Sequence, residues 1–244
     1  MAKTFSSQIE YFLRDIRCKV MFNKLLQYCR GNVLDVGGWD FFATAKRRGI
    51  QYSHWTTLEY DQSHVLELED EHFTFMHGDG CNMSFPNDNF DTIVNIQVLE
   101  HVYEPIKMVE ECARVLKPGG YGIFVIPQTA VIHAEPYHYY NFTIYWVRMT
   151  MARAGLEIVE ELPMGGVWSS TASHMFFLIH YSFVRRLKSP TGSPRNAMFY
   201  LLYPLMLIYA LVNIPICMFF SLGDLTEEPN NNLIVVRKPV ADLS

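Results

Sequence analysis

The 244-residue chain has no excess of basic charge: 20 Lys and Arg stand against 25 Asp and Glu, for a net charge of −5. A nucleic-acid partner is therefore not expected, because phosphate neutralisation needs clustered cations. Cysteine is scarce and scattered. Cys18, Cys29, Cys81, Cys112 and Cys217 form no C-x-x-C pair, which excludes a disulfide framework, offers no zinc motif and suits a reducing compartment. The first residues lack a long apolar run, since Lys3, Glu10, Arg14, Asp15, Arg17 and Lys19 interrupt them, so a signal peptide is not expected. No G-x-G-x-x-G follows any apolar run, which counts against a nicotinamide-dinucleotide dehydrogenase. Repeats and low-complexity tracts are lacking. One further absence is local: from Asn196 to Gly223 there is no charged residue, a stretch long enough in principle to span a bilayer.

What is present centres on Phe90 to Pro127. An apolar run, Thr92 to Ile96, breaks at Gln97. Val102, Ile106, Val109, Ala113 and Leu116 then recur at helical spacing, Lys117-Pro118-Gly119-Gly120 reads as a tight turn, and Tyr121 to Ile126 is a second apolar run. This is the length of one βαβ unit with parallel strands. Ligands in open α/β sheets bind outside the carboxyl ends of such strands, which directs attention to Asn95–His101 and Pro127–Thr129.

Further strands are expected at Asn32–Gly38, Tyr52–Leu58, Phe73–Phe75, Leu156–Leu162 and Leu233–Val236. Helices are expected over parts of residues 5–29, over Phe41–Arg48, and from Ile144, with Thr143 as N-cap and Gly155 just past the end. Three strand ends suit a nucleoside. Gly37 and Gly38 follow the first strand, where a missing side chain permits close backbone approach. Glu59 ends the second and can accept from both hydroxyls of a ribose. Asp79, in His77-Gly78-Asp79-Gly80, can accept from an exocyclic amine.

These motifs resemble the class I S-adenosylmethionine-dependent methyltransferases, type-11 group, often found in cell-surface glycan biosynthesis. The family pattern is close to D-x-x-x-L-P-F-P-D-x-S-F-D-x-V-x-x-x-x-V-L-E-H-V followed by R-V-L-K-P-G-G. At matching spacing this chain has Asp79, Ser84 to Asp91, Val98-Leu99-Glu100-His101-Val102 and Arg114 to Gly120, and Pro136 to Thr143 is similar to the group's P-x-D-Y-x-R-F-T. The resemblance implies a Rossmann-like, doubly wound α/β fold. Its seven-stranded sheet would be mostly parallel with the last strand antiparallel, and a hydrophobic helical insertion would precede that strand. It also implies S-adenosyl-L-methionine as cofactor, held by Asp35, Gly37, Gly38, Glu59, Asp79, Gly80, Asn95 and Gln97. His101, His133 and His138, at or beside the two strand ends, are the candidate general bases. Some relatives hold a metal with E-x-x-E-H; here Gln97 takes the first position, and no metal is expected.

The resemblance also has departures. Where the family continues C-G-x-G after the first strand, this chain has Gly38-Trp39-Asp40-Phe41, and bulky residues accept positive φ poorly. The expected organisation is a helical segment over 1–30, a methyltransferase core over 31–166 and 230–240, and a hydrophobic insertion over 167–229. If the strands flanking the insertion share one sheet, a single membrane pass is excluded. The first candidate span, Ala172 to Val184, is short for a two-pass hairpin, and Pro204 and Pro215 are expected to break the longer run. There remain a monotopic element in the membrane interface and a hydrophobic cap on the domain or on a second subunit. Arg185, Arg186, Lys188 and Arg195 would meet anionic headgroups. The expected activity is methyl transfer to a small hydroxylated, glycan or lipid-linked acceptor, on the cytoplasmic side with peripheral membrane contact through 196–222. The alternative is a degenerate fold kept as a membrane-associated scaffold.

Overall fold

The computed structural model describes residues 18–184 and 195–240, apart from 65, 67 and 69. The expectations for residues 5–17 and for Arg185, Arg186 and Lys188 lie outside the described residues. The chain divides into two compact units. The first comprises 18–127, Tyr139–Leu162 and 232–240; the second comprises Gln128–His138 and Pro163–Asn231.

The first unit is built on a seven-stranded sheet. Its strands are β1 (Asn32–Val36), β2 (His54–Glu59), β3 (Phe73–His77), β4 (Phe90–Ile96), β5 (Leu116–Pro127), β6 (Glu157–Met164) and β7 (Asn231–Arg237). The order is β3-β2-β1-β4-β5-β7-β6. Pairs β1–β2, β1–β4, β2–β3 and β4–β5 are parallel. Backbone bonds Gly119 N–H to Lys238 O and Gln128 N–H to Asn230 O, whose partners run in opposite order, set β7 antiparallel to β5. The expected sheet is thus present.

Helices cover the faces because their apolar positions recur every three or four residues. In α3 (Pro105–Val115) the buried set is Pro105, Met108, Val109, Cys112, Ala113 and Val115, a stripe that faces the sheet. Helix α1 (residues 18–28) buries Leu25 completely. Helix α2 (Phe41–Arg47) inserts Phe42, stacked on Phe73 at 4.1 Å and tilted against Trp55 at 5.9 Å. Burying each such side chain contributes about 1.5–3 kcal/mol. Helix α4 (Ile144–Arg153) starts where expected: the Thr143 side chain accepts from the Trp146 N–H, and Gly155 takes φ +75° beyond its end.

Two local expectations are corrected. The helix does not start at Val102; a 3₁₀ turn, Leu99–His101, comes first, and α3 opens at Pro105, whose missing N–H costs nothing there. Nor is Lys117–Gly120 a simple helix stop. Leu116 already pairs with Phe90 and Tyr121 with Thr92, so residues 117–120 bulge out of β5. Lys117 pairs with Asp91 at 2.8 Å there, and Gly119 takes φ +81°.

In the second unit, α5 (Val167–Val184) and α6 (Ala197–Phe220) form a hairpin, with Trp168 at the start of one against Phe220 at the end of the other, 5.0 Å between ring centroids. Its root is polar and fully engaged. Asp224 accepts from the backbone N–H groups of Trp168 (2.8 Å) and Ser169 (3.1 Å) and from the Ser169 hydroxyl (2.6 Å). Burial works to raise the Asp224 carboxyl, but these bonds hold it below the usual range. Gly166 has no room for a side chain, since a Cβ would lie 2.2 Å from the Leu225 carbonyl. With Asp224 capping it, α5 starts at Val167 rather than Ala172 and reaches 18 residues.

Helix α6 runs unbroken for 24 residues through both Pro204 and Pro215, against the expectation of a break. Each proline removes one internal bond, but an apolar helix keeps the rest, and prolines are common within such helices. Ala197–Gly223 is long and apolar enough to cross a membrane by length and composition, and only 11% of its most apolar window is buried. Leu201, Leu205 and Phe219 are 71%, 64% and 68% exposed.

Candidate active site

The carboxyl ends of β1, β2, β3 and β4 lie side by side in the first unit, because these strands are parallel and in register. They bring together Asp35, Gly37, Gly38, Glu59 and Asn95, as the sequence led one to expect.

Asp35 is buried on β1, and neither of its oxygens has a hydrogen-bond partner. Burial pushes its carboxyl up to about 8; the nearby Trp55 indole N–H opposes the rise and the Glu59 charge adds to it. Gly38 exists because of Asp35: a Cβ there would sit 1.9 Å from Oδ2. Gly37 has φ +74°, and its Cβ would meet Val98 at 2.7 Å. The turn then continues through Trp39 at φ +39°, so the bulky residue does enter the left-handed region. Strain of this kind is tolerated where surrounding structure enforces it.

Glu59 is almost buried and accepts from the Asp61 N–H at 3.1 Å. Its second oxygen lies 3.7 Å from His64 Nδ1. Asp79 is exposed and accepts from the Cys81 N–H at 2.8 Å, which orders the turn after β3, while Gly80 is buried, where a Cβ would come within 2.5 Å of the end of the flexible Met108 side chain. Asn95 is fully buried; its amide reaches the Val36 carbonyl at 3.4 Å, and its own oxygen has no partner. Gln97, beyond the end of β4, is exposed and takes φ +55°.

His101 closes the 3₁₀ turn, partly exposed, with Nε2 3.8 Å from a carboxylate oxygen of Glu100. Sequence reasoning passed over Glu100 except as half of a metal motif. It is wholly buried, and neither oxygen finds a partner. Burial pushes it up to about 7, opposed by a loose contact with its own backbone N–H. A charged residue inside the apolar Val98–Val102 run was the available signal. His133 and His138 belong to the second unit. There their rings meet edge to face at 4.8 Å, and the His133 N–H donates to His138 Nδ1 at 3.3 Å.

Against known families, residues 34–124 match the model of a methyltransferase domain of the type-11 group. The match covers 91 of the 244 residues, from β1 into β5. Among curated relatives, the domain is similar to a "Probable S-adenosylmethionine-dependent methyltransferase" of Mycolicibacterium smegmatis, 28% identical over 160 residues, 60% of each chain. A protein of the same description from Mycobacterium tuberculosis is 29% identical over 112 residues, 43% of this chain and 39% of that one. The chain thus spans about three fifths and two fifths of these relatives' lengths. Among solved structures, the [4+2]-cyclase SpnF superposes with a TM-score of 0.61 at 16% identity, covering 92% of this chain and 82% of that one. Phosphoethanolamine N-methyltransferase 2 of Haemonchus contortus, in complex with S-adenosyl-L-methionine, gives a TM-score of 0.56 at 13% identity, covering 91% and 53%. At such identities the methyltransferase fold is shared, and a cyclase among the neighbours shows that the fold alone does not set the reaction.

Proposed function

We propose that the chain is an S-adenosylmethionine-dependent methyltransferase acting on a small hydroxylated, glycan or lipid-linked acceptor at a membrane surface. The observation that carries the reading is Asp35. A buried carboxyl group with two unsatisfied oxygens costs about 1–3 kcal/mol even when it keeps its proton, unless a ligand compensates it. Beside it stand two glycines without room for side chains and a second acid, Glu59, at the next strand end. An ammonium on Asp35, a ribose diol on Glu59 and an adenine amine on Asp79 beside Gly80 are the complementary groups, and S-adenosylmethionine carries all three. Asn95 and Gln97 then flank the sulfonium.

When bound, the donor supplies a methyl group on a sulfonium, which leaves as a neutral thioether. The chain's own part is alignment, worth many orders of magnitude in effective concentration, and removal of the acceptor's proton. His101 takes that proton at a ring nitrogen. The Glu100 carboxylate behind it offsets the positive charge that develops. His133 and His138 are the further candidates for this role.

The membrane part of the reading is supported by α6, an apolar helix about 36 Å long with large side chains exposed along it. Arg195 precedes it, where anionic headgroups would be met. Because β6 and β7 are neighbours, the hairpin leaves and rejoins the sheet at adjacent strands. That favours peripheral, monotopic contact from the cytoplasmic side. The alternative, a membrane-bound scaffold without catalysis, is favoured by Trp39 in place of the family's flexible glycine loop.

The test uses full-length protein, methyl-labelled S-adenosylmethionine and vesicles of anionic lipid containing a bacterial lipid extract. Label in the lipid phase and co-sedimentation that Leu201→Asp/Leu205→Asp reduces are expected. Donor binding with no transfer to any fraction would favour the scaffold, and equal sedimentation of both proteins would remove the membrane contact.

A further inference from the structure

Trp39 and His64 form a feature that the donor reading above does not use. Trp39 follows the two glycines after β1, and His64 follows the strand-end acid of β2. Their rings stack at 4.4 Å with 15° between planes. The other side of the imidazole faces acid: Nδ1 lies 3.7 Å from Glu59 Oε2, and Nε2 lies 4.0 Å from Asp61 Oδ2. His64 Nδ1 is buried and makes no hydrogen bond. At 3.7 Å it is too far from Glu59 for a direct one. With a small rotation of the imidazole that uncovers Nδ1, a hydroxyl oxygen about 2.8 Å from each atom would bridge the pair, accepting from one and donating to the other.

We propose that His64 is a second ribose ligand, sharing a hydroxyl of a purine nucleoside's cis-diol with Glu59, and that Trp39 is a positioning residue that fixes the imidazole by stacking. The strained Trp39 backbone has a reason on this account, because the turn aims the indole at the ring it must hold. The binding loop then gains contact area from the indole where a glycine loop would supply only backbone. Discrimination for an intact diol follows, since removing the hydroxyl leaves two buried polar atoms unpaired.

The inference rests on donor binding at Glu59, so the experiment separates the two. Calorimetric titration compares S-adenosylhomocysteine with its 2′,3′-dideoxy analogue on the wild-type protein, Glu59→Ala, His64→Ala, His64→Asn, Trp39→Ala and Trp39→Phe. Thermal melts confirm folding, and Trp39 fluorescence gives an independent readout of the stack. The wild type is expected to prefer the diol about 100-fold. His64→Ala and His64→Asn should lower that preference about tenfold, and Trp39→Ala should lower it by less, with Trp39→Phe near wild type. Ligand should alter Trp39 emission in the wild type. If Glu59→Ala abolishes binding while both His64 variants and Trp39→Ala keep the wild-type preference, the role of His64 and Trp39 is overturned and the donor reading stands. If wild type binds neither ligand at millimolar concentration, the donor reading falls and this inference with it.

Discussion

Replacing Asp35 by Asn separates two demands on one position, the stability of the free protein and the binding of the donor. The folded carboxyl is pushed up to about 8 by burial, the Trp55 N–H opposing and the Glu59 charge adding. In the unfolded chain an Asp titrates near about 3.9. The folded chain therefore retains a proton that the unfolded chain releases. Stability linked to that proton is fully present below about pH 4 and is lost as pH rises through about 8. At about 1.36 kcal/mol per unit, raising the pH from about 5 to about 8 removes roughly 3–4 kcal/mol through this group. Glu100, pushed up to about 7, contributes a similar loss, but it is present in both proteins and cancels in their difference. Asn cannot ionise. Its unsatisfied amide costs about 1–3 kcal/mol at any pH, which displaces the curve without tilting it. Urea unfolding across this range measures the tilt. Asp35→Asn is expected to lose about 3 kcal/mol less than wild type between the two ends, and to bind S-adenosylhomocysteine at least tenfold more weakly. Parallel stability curves would refute the reasoning.

Further outcomes follow from particular contacts. Gly38→Ala forces a Cβ to within 1.9 Å of Asp35 Oδ2, so a lower melting temperature and lost donor binding are expected; an unchanged melt would show that the turn relaxes freely. Asp224→Ala removes the cap of α5 and four bonds at the hairpin root; about 1–2 kcal/mol of local stability should disappear, read as faster amide exchange at Trp168 and Ser169. Glu100→Gln removes the charge beside His101, so the acidic limb of the methyl-transfer pH profile should move to lower pH while donor affinity stays within about threefold. An unmoved profile would separate Glu100 from the chemistry.

The strand ends were legible because glycine and acidic residues interrupt apolar runs at Gly37, Glu59 and Asp79, and local spacing carries that information. Thr143 and Gly155 were legible for the same reason: capping is decided by a few neighbouring residues. What escaped depends on residues distant in sequence. The bulge at Lys117–Gly120 is shaped by Asp91 and by Lys238, and the start of α5 by Asp224. Trp39 was expected to resist positive φ, and its ring contact with His64 shows what accompanies the strained turn. The prolines of α6 were misjudged because each removes only one internal bond, and a long apolar helix keeps the rest. Glu100 was visible as a residue but not as a burial, since an exposed helix-start acid and an enclosed one look alike in sequence.

Calorimetric titration of the full-length protein with S-adenosylmethionine and S-adenosylhomocysteine, with Glu59→Ala alongside, addresses the donor site most directly. Saturable binding that Glu59→Ala weakens by about 100-fold is expected, the loss of two charge-assisted bonds. No binding at millimolar ligand, or equal binding by Glu59→Ala, would contradict the assignment of these strand ends to a methyl donor.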